Sequence, residues 1–134
     1  MYGIGGIDHV AKPDLLARVI AGSYPSGPSN RESPKIWQMI GADQVPAYNV
    51  PSGILFDMIR NAAGKRAGVF TQVGLDTFID PRRQGAKMNK AAKADIVKLV
   101  EMGGEEWLHF PNIPPDVSII RGTTGQSRVR SLRN

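Results

Sequence analysis

The stretch that most constrains the fold of this chain runs from residue 45 to residue 89. An apolar run at residues 45–50 leads into a Pro-Ser-Gly turn and then into a segment whose apolar residues recur every three or four positions. A second apolar run follows at residues 69–73. The three-and-four spacing gives a helix one buried face, and short apolar runs bounded by Gly and Pro are typical of strands. The order of strand, turn, helix, strand and polar loop predicts an α/β fold.

The Pro-Ser-Gly turn at the start of the predicted helix is a candidate site for an anion. We expect Ser52 to cap the helix and Gly53 to let the backbone pass close to a ligand, and we expect Gly64 to end the helix. A helix N-terminus presents free backbone N–H groups and the positive end of the helix dipole, which suits carboxylates and phosphates. Because such turns are common in α/β proteins, this geometry alone does not assign a ligand.

Three motifs occur in fixed order within the same stretch: AYNVPSG at residues 47–53, VGLDTFIDPR at residues 73–82 and GAKMN at residues 85–89. Together they resemble the family I CoA-transferases of the acetate, propionate and 3-oxoacid type, which move coenzyme A between acyl-CoA thioesters and free carboxylates. The family pattern is A-Y-N-x-P-x-G, a helix, and then V-G-x-G-T-F-x-D-P-R-x-x-G-G-K-x-N. The resemblance implies an N-terminal-domain-like fold, with a partial, open, mostly parallel sheet, flanking helices and a β-hairpin. It also implies coenzyme A as a substrate, beside a short carboxylic acid.

The resemblance places the pocket for these substrates on residues of the three motifs. The candidates are Ser52, Gly53, Gly74, Thr77, Phe78, Asp80, Arg82, Lys87 and Asn89. The chain departs from the family at Ser52, where many relatives carry Gln, and at Asp76 and Ala86, where others have Gly. A left-handed position tolerates Asp at modest cost, whereas a Gly required for close ligand approach could not be replaced. Two roles remain open for Arg82, which could hold a carboxylate or phosphate or could pair internally with Asp76 or Asp80.

The nucleophile of the family resembled here is a glutamate in its C-terminal half, which forms a glutamyl-CoA thioester. That glutamate stands in a short E-x-G context, and we identify none of Glu32, Glu101, Glu105 and Glu106 with it. We therefore expect no catalytic residue in these 134 residues and no transfer activity without a C-terminal half. The expected organisation is a truncated N-terminal-like domain at residues 1–124, followed by a foreign, basic and disordered tail at residues 125–134. Strand edges left uncovered by the truncation predict a homo-oligomer. The alternative is a ligand-binding or interaction module that has lost the reaction.

The flanking segments predict further elements. Residues 13–21 predict a first helix that opens at Pro13, and Ser33 followed by Pro34 predicts the capped start of a second helix. Residues 90–110 allow either an amphipathic helix or a hairpin around a Gly-Gly turn, and the resemblance favours a hairpin at residues 95–110. Residues 117–121 predict a buried parallel strand. Trp37 is expected to pack in the core, while Asp8 and His9 are interpreted as structural because adjacent residues point in different directions. The predicted core consists of Val19, Ile20, Ile36, Ile40, Ile54, Leu55, Met58, Ile59, Val69, Val73, Val117, Ile119 and Ile120.

Composition narrows the function classes. The chain has no cysteine and two distant histidines, so disulfides, thiolate nucleophiles and a metal site are not expected. No apolar run approaches the ~20 residues that span a bilayer, and no secretion signal opens the chain, so we expect a cytoplasmic location. Removing the three arginines after Gly125 lowers the net charge from +5 to +2. The basic tail could serve nucleic acid, the phosphates of a cofactor, or neither, but no recognition helix or zinc-finger spacing supports a nucleic-acid partner.

Overall fold

The fold is mixed α/β, and the computed structural model describes residues 8–24 and 34–119 of the chain. Two helices and two small sheets form within these residues. The elements in chain order are β1 (Val19–Ala21), α1 (Lys35–Gly41), β2 (Ala47–Asn49), α2 (Ser52–Ala63), β3 (Val69–Thr71), β4 (Lys98–Met102) and β5 (Glu105–Phe110). The predicted fold class is confirmed: one sheet is parallel, two helices flank the strands, and a hairpin follows.

The parallel sheet consists of β1 and β2, with Val19 opposite Ala47 and Ala21 opposite Asn49. The predicted helix at residues 13–21 is wrong, because residues 13–15 form a turn and residues 19–21 form β1. Val19 and Ile20 are β-branched residues, which lose side-chain freedom in a helix and pack well on a pleated surface. Pairing with β2 therefore outweighs the helical spacing of the apolar residues.

Helix α1 buries Ile36, Met39 and Ile40 against β1 and β2. The predicted cap, Ser33, lies outside the described residues, and Pro34 occupies the cap position without a side-chain hydrogen bond. Instead, two N–H groups in the first turn of α1 donate hydrogen bonds to the Asp8 carboxylate, Lys35 at 3.2 Å and Ile36 at 3.3 Å. A residue 27 positions earlier in the chain therefore stabilises the start of this helix, which agrees with the structural interpretation of Asp8.

Trp37 is half-buried and packs edge-on against Tyr24, with ring centroids 5.6 Å apart. The Tyr24 hydroxyl donates to the backbone oxygens of Tyr48 at 2.8 Å and Val19 at 3.3 Å, so it ties the chain after β1 to both strands. Burial raises the pKa of Tyr24 to about 12, against the opposing effect of its backbone contacts with Tyr48 and Ala21. The phenol therefore stays neutral at physiological pH.

Helix α2 buries Ile54 and Met58, and Leu55 packs beside them, as predicted. Ile59 was expected in the core but is 50% exposed, because it lies at the outer margin of the apolar face. The helix ends before Gly64, as predicted, and the left-handed residue after it is Lys65, with φ 52°. Pro51 is the cap residue and makes no side-chain bond, so the prediction that Ser52 caps the helix is wrong.

The second sheet is antiparallel in the order β3-β5-β4. Gly103 and Gly104 join β4 to β5 with φ values of 64° and 79°, which only glycine adopts readily and which a two-residue hairpin turn requires. The predicted hairpin is confirmed, and the helical alternative for residues 89–102 is excluded. Inward-facing Leu108 and Phe110 are completely buried, whereas His109 on the other face stacks on Phe70 at 4.5 Å.

Two buried clusters hold these elements together. One packs α1 on the parallel sheet, and the other joins β2, α2, the loop after β3 and the hairpin. Besides Ile59, three residues predicted in the core are exposed: Val73 by 63%, Val117 by 80% and Ile119 by 95%. Residues 117–119 form no strand, because no described strand lies beside them to complete a ladder, and residues 120–121 lie outside the described range, as does the whole predicted tail. No described helix has the length and apolar content needed to cross a membrane.

Candidate functional site

Gly22 and Ser52 meet at the carboxyl ends of β1 and β2. The strands are parallel, so the residues that follow them reach the same edge of the sheet, where α/β proteins place ligands. A Cβ atom added to Gly22 would lie 2.9 Å from the Ser52 nitrogen and 3.0 Å from its Cα. Only glycine allows this contact. Sequence reasoning missed Gly22 as a site residue, although a glycine directly after an apolar run was the available signal.

The start of α2 beside Gly22 is open and electrostatically uncompensated. Ser52 and Gly53 are exposed, and the first turn contains neither a side-chain cap nor an acidic residue. A Cβ added to Gly53 would meet no atom within 4 Å. Within residues 8–24 and 34–119, no cap or first-turn acidic side chain offsets the positive end of the helix dipole.

The end of the motif loop, residues 85–89, lies alongside β2 and brings the first and third motifs together. The Asn49 N–H donates to Ala86 O and the Met88 N–H donates to Ala47 O, both at 2.9 Å. Tyr48 and Lys87 form an antiparallel bridge between these two bonds. The loop is therefore fixed on the strand that leads into the Pro-Ser-Gly turn.

Asn89 anchors the end of this loop through its side chain. Its Oδ1 accepts from the Ala47 N–H at 3.2 Å, and its Nδ2 donates to Ile40 O at 3.0 Å and Val45 O at 2.8 Å. These bonds join the end of α1, the approach to β2 and the loop. Lys87, two residues earlier, forms a 2.6 Å ion pair with Asp95, which is 69% exposed.

Asp80 anchors the middle of the loop and is completely buried. Its carboxylate accepts from the N–H groups of Asp76 and Arg82, both at 2.9 Å, and from Arg82 Nη2 at 2.8 Å. The hydrogen bond from the Arg82 side chain, opposed by burial and helped by the backbone donors, holds the pKa of Asp80 well below its usual range. A buried carboxylate that stays ionised in this way organises the turn around itself.

Arg82 also reaches the hairpin. Its Nη1 contacts both carboxylate oxygens of Glu106 at 3.0 Å, and Asp76 lies 3.7 Å from Nη2. The bond to Asp80 is the main cause that raises the pKa of Arg82, with Glu106 adding to it. Of the two roles left open for Arg82, the structure shows the internal one. Sequence reasoning did not find Glu106 as its partner, because the two residues are 24 positions apart.

The two positions where relatives carry Gly are both left-handed here, with φ 60° at Asp76 and φ 63° at Ala86. Asp tolerates this region better than other non-glycine residues because its short polar side chain can bond locally. Ala86 is completely buried and has no such bond to offer, so it carries the greater strain. At both positions the backbone therefore has the conformation that glycine adopts most readily.

The remaining candidates lie at the loop surface. Thr77 and Phe78 are exposed, Phe78 by 44%, and the Thr77 hydroxyl donates to Gly74 O at 2.7 Å. Gly74 has φ 101°, and a Cβ there would lie 3.1 Å from Ile79. Ser52, Gly53, Thr77 and Phe78 are thus exposed, and Gly74 is half-buried. The side chains of Asp80, Arg82, Lys87 and Asn89, like that of Thr77, are bonded within the chain. The part of the chain that the structure describes contains no group of three or more His, Asp or Glu residues that could hold a metal ion.

Comparison with known proteins decides the family. The family model described as coenzyme A transferase matches residues 3–130. The chain belongs to the coenzyme A transferase family. It is 36% identical over 122 residues to acetate CoA-transferase YdiF of Escherichia coli K12, which covers 91% of this chain and 22% of that protein. It is 42% identical over 86 residues to caffeate CoA-transferase of Acetobacterium woodii, covering 64% of this chain and 16% of that protein.

A solved member of the family has the same fold. The crystal structure of the acyl-CoA transferase YdiF from Escherichia coli O157:H7, a thioester complex with CoA, superposes with a TM-score of 0.73 at 35% identity. The match covers 83% of this chain and 22% of that one. The resemblance inferred from the three motifs is therefore confirmed, and the chain spans about a fifth of the length of the relatives it matches.

Proposed function

We propose that this chain supplies part of the pocket of a CoA-transferase, an enzyme that moves coenzyme A from an acyl-CoA thioester to a carboxylic acid. The observation that carries the proposal is the open, uncapped start of α2 beside Gly22, at the sheet edge formed by the first family motif. Both substrates are anionic, and a helix N-terminus stabilises negative charge through its N–H groups and dipole.

The candidate residues divide into two proposed roles. Ser52, Gly53, Thr77 and Phe78 are exposed and offer surface to an acyl-CoA or a short acid. Asp80, Arg82 and Asn89 are bonded within the chain and hold the loop in shape, together with Gly74 at its positive φ. Lys87 pairs with an exposed aspartate, so its ammonium can exchange this partner for a ligand anion.

Binding at the start of α2 can be tested with two variants that have the same shape and differ only in charge. Coenzyme A or propionate is titrated into the protein and followed by thermal shift and amide NMR. We expect Gly53→Asp to abolish binding, because its carboxylate occupies the positive helix end, whereas Gly53→Asn has the same shape and retains binding. Gly41→Asp adds the same charge at another glycine with open space and serves as the position control. Equal binding by the two Gly53 variants contradicts the proposed site.

We further propose that the chain alone does not catalyse exchange. Glu101, Glu105 and Glu106 are all exposed, and Glu106 is engaged by Arg82. Glu101 has the E-x-G spacing with Met102 and Gly103, but these residues lead into the turn between β4 and β5. The purified protein is incubated with acetyl-CoA and propionate, with YdiF as the active comparison. Formation of propionyl-CoA by this chain would refute the proposal.

The second candidate function is a non-catalytic interaction module in the cytoplasm. It would associate with a second copy of this chain or with a C-terminal transferase half. Phe56 and Ile59 favour it, since they form an exposed apolar pair on α2 with 66% and 50% exposure. Light scattering should then show a dimer or larger species that Phe56→Ser with Ile59→Ser converts to monomer. A monomer for the unmodified chain at high concentration excludes self-association.

A further inference from the structure

A cleft of about 330 Å³ lies at the amino ends of β1 and β2. This edge of the parallel sheet is opposite to the one where Gly22 meets Ser52, because each strand begins at one edge and ends at the other. Strands of three residues span about 10 Å, so a small molecule in the cleft does not reach the start of α2. The cleft is lined by Pro46, Tyr48, the cations Arg18 and Lys93, and three alanines, Ala17, Ala91 and Ala94.

The floor of the cleft is apolar. Pro46 and three alanines contribute aliphatic surface, and the Tyr48 hydroxyl is already used in donating to Ala94 O at 2.9 Å. A small-molecule site of ordinary composition has mostly apolar walls and a few polar groups that fix orientation. This floor suits a hydrocarbon chain.

Two cations at the rim supply the polar groups. Arg18 and Lys93 are exposed, and neither has a carboxylate partner among residues 8–24 and 34–119. By contrast, Arg60, Arg82, Arg83 and Lys87 each pair with an aspartate. Two unpaired cations beside one apolar cleft attract an anion, and a guanidinium can hold a carboxylate through two parallel bonds.

We propose that this cleft binds a small aliphatic monocarboxylate, with its tail on the Pro46 and Tyr48 floor and its carboxylate between Arg18 and Lys93. The volume is at the lower end of the ~300–1,000 Å³ usual for ligand sites, so the cleft suits a short acid and not a molecule as large as coenzyme A. The site is independent of the proposed pocket at the other edge of the sheet.

The test compares ligands that share a tail and differ in the head group. Hexanoate, hexan-1-ol, hexylamine and inorganic phosphate are titrated into the protein and followed by amide NMR. We expect hexanoate to shift the amide signals of residues 17–18 and 91–94, and to bind at least about tenfold more tightly than the alcohol. Phosphate without a tail should bind more weakly than hexanoate. Signals at Gly22 and Ser52 report the proposed pocket separately, so failure at one edge is distinguishable from failure at the other.

Two sets of variants test the cations and the apolar floor of the cleft separately. Arg18→Gln with Lys93→Gln should weaken hexanoate binding about tenfold, whereas Lys35→Gln with Lys98→Gln removes two exposed cations elsewhere and should leave it unchanged. Ala94→Phe fills the floor while retaining both cations and should also abolish binding. Hexanoate affinity no greater than that of hexan-1-ol, or affinity unaffected by both cleft variants, overturns the proposal.

Discussion

Asp80 and Arg82, two positions apart, form an ion pair in which one partner is completely buried and the other is 41% exposed. The carboxylate is surrounded by donors from its own loop, while the guanidinium extends to Glu106 on the hairpin. The pair therefore joins the family motif loop to the antiparallel sheet. A side chain that a sequence pattern offers as a substrate contact is used here to hold the loop.

Asp80→Asn should destabilise the protein by about 2 kcal/mol. The variant keeps the shape of the side chain but removes the charge that three donor groups bind, and it leaves a partly buried guanidinium less well paired. Urea unfolding measures the change. Asp95→Asn removes an exposed partner of Lys87 and should cost less than about 1 kcal/mol. A similar loss of unfolding free energy in the two variants would show that burial does not increase the contribution of Asp80 to stability.

The stabilisation from Asp80 should disappear in acid. Its pKa is depressed in the folded state, so its contribution is fully present above the unfolded value of about 3.9 and is lost as the pH falls from there towards the folded value. The difference in urea midpoint between the unmodified chain and Asp80→Asn should be constant from about pH 7 to pH 5 and should narrow towards about pH 2. A difference that does not change with pH contradicts the assigned charge state.

Gly22→Ala should destabilise the protein by about 1–3 kcal/mol, because the new methyl group overlaps the backbone of Ser52 and separates the two strand ends. Thermal or urea unfolding measures the effect. Gly41→Ala is the matched control, since a Cβ there meets no atom within 4 Å and alanine favours a helix. A neutral Gly22→Ala variant would mean that β1 and α2 are not in contact.

Lys65→Gly should stabilise the protein by about 0.5–1 kcal/mol. Lys65 is exposed and left-handed at φ 52°, directly after the end of α2, where glycine avoids the steric cost of a Cβ atom. Lys90→Gly applies the same substitution at an exposed residue outside the left-handed region and should destabilise instead, since glycine adds backbone entropy to the unfolded chain. Effects of the same sign at the two positions would refute the conformational argument.

Local signals explain which parts of the fold could be read from the sequence. Helix α2 followed from the spacing of Ile54 and Met58, because that signal depends on residues close together in the chain. The Gly-Gly pair indicated a hairpin but left a helix open as well, and the family resemblance favoured the hairpin. Strand β1 was mistaken for a helix since its apolar spacing fits both structures, and only its partner β2, nearly 30 residues later, decides between them. The contact between the Asp8 carboxylate and the start of α1 could not be predicted either, because the two lie 27 positions apart in the chain.

For the candidate site, the sequence by itself determined the family and the position of the motif loop, because residues at fixed spacing identify the motifs even where Asp76 and Ala86 depart from them. Only the tertiary structure decided which of those residues are free. The Arg82 side chain is bonded to Glu106, and the Asn89 side chain is bonded to the backbone oxygens of Ile40 and Val45. Ser52 and Gly53, by contrast, are exposed to solvent. The reason is physical: a motif fixes side-chain chemistry, but whether a charge meets solvent or a carboxylate depends on segments that only folding brings together.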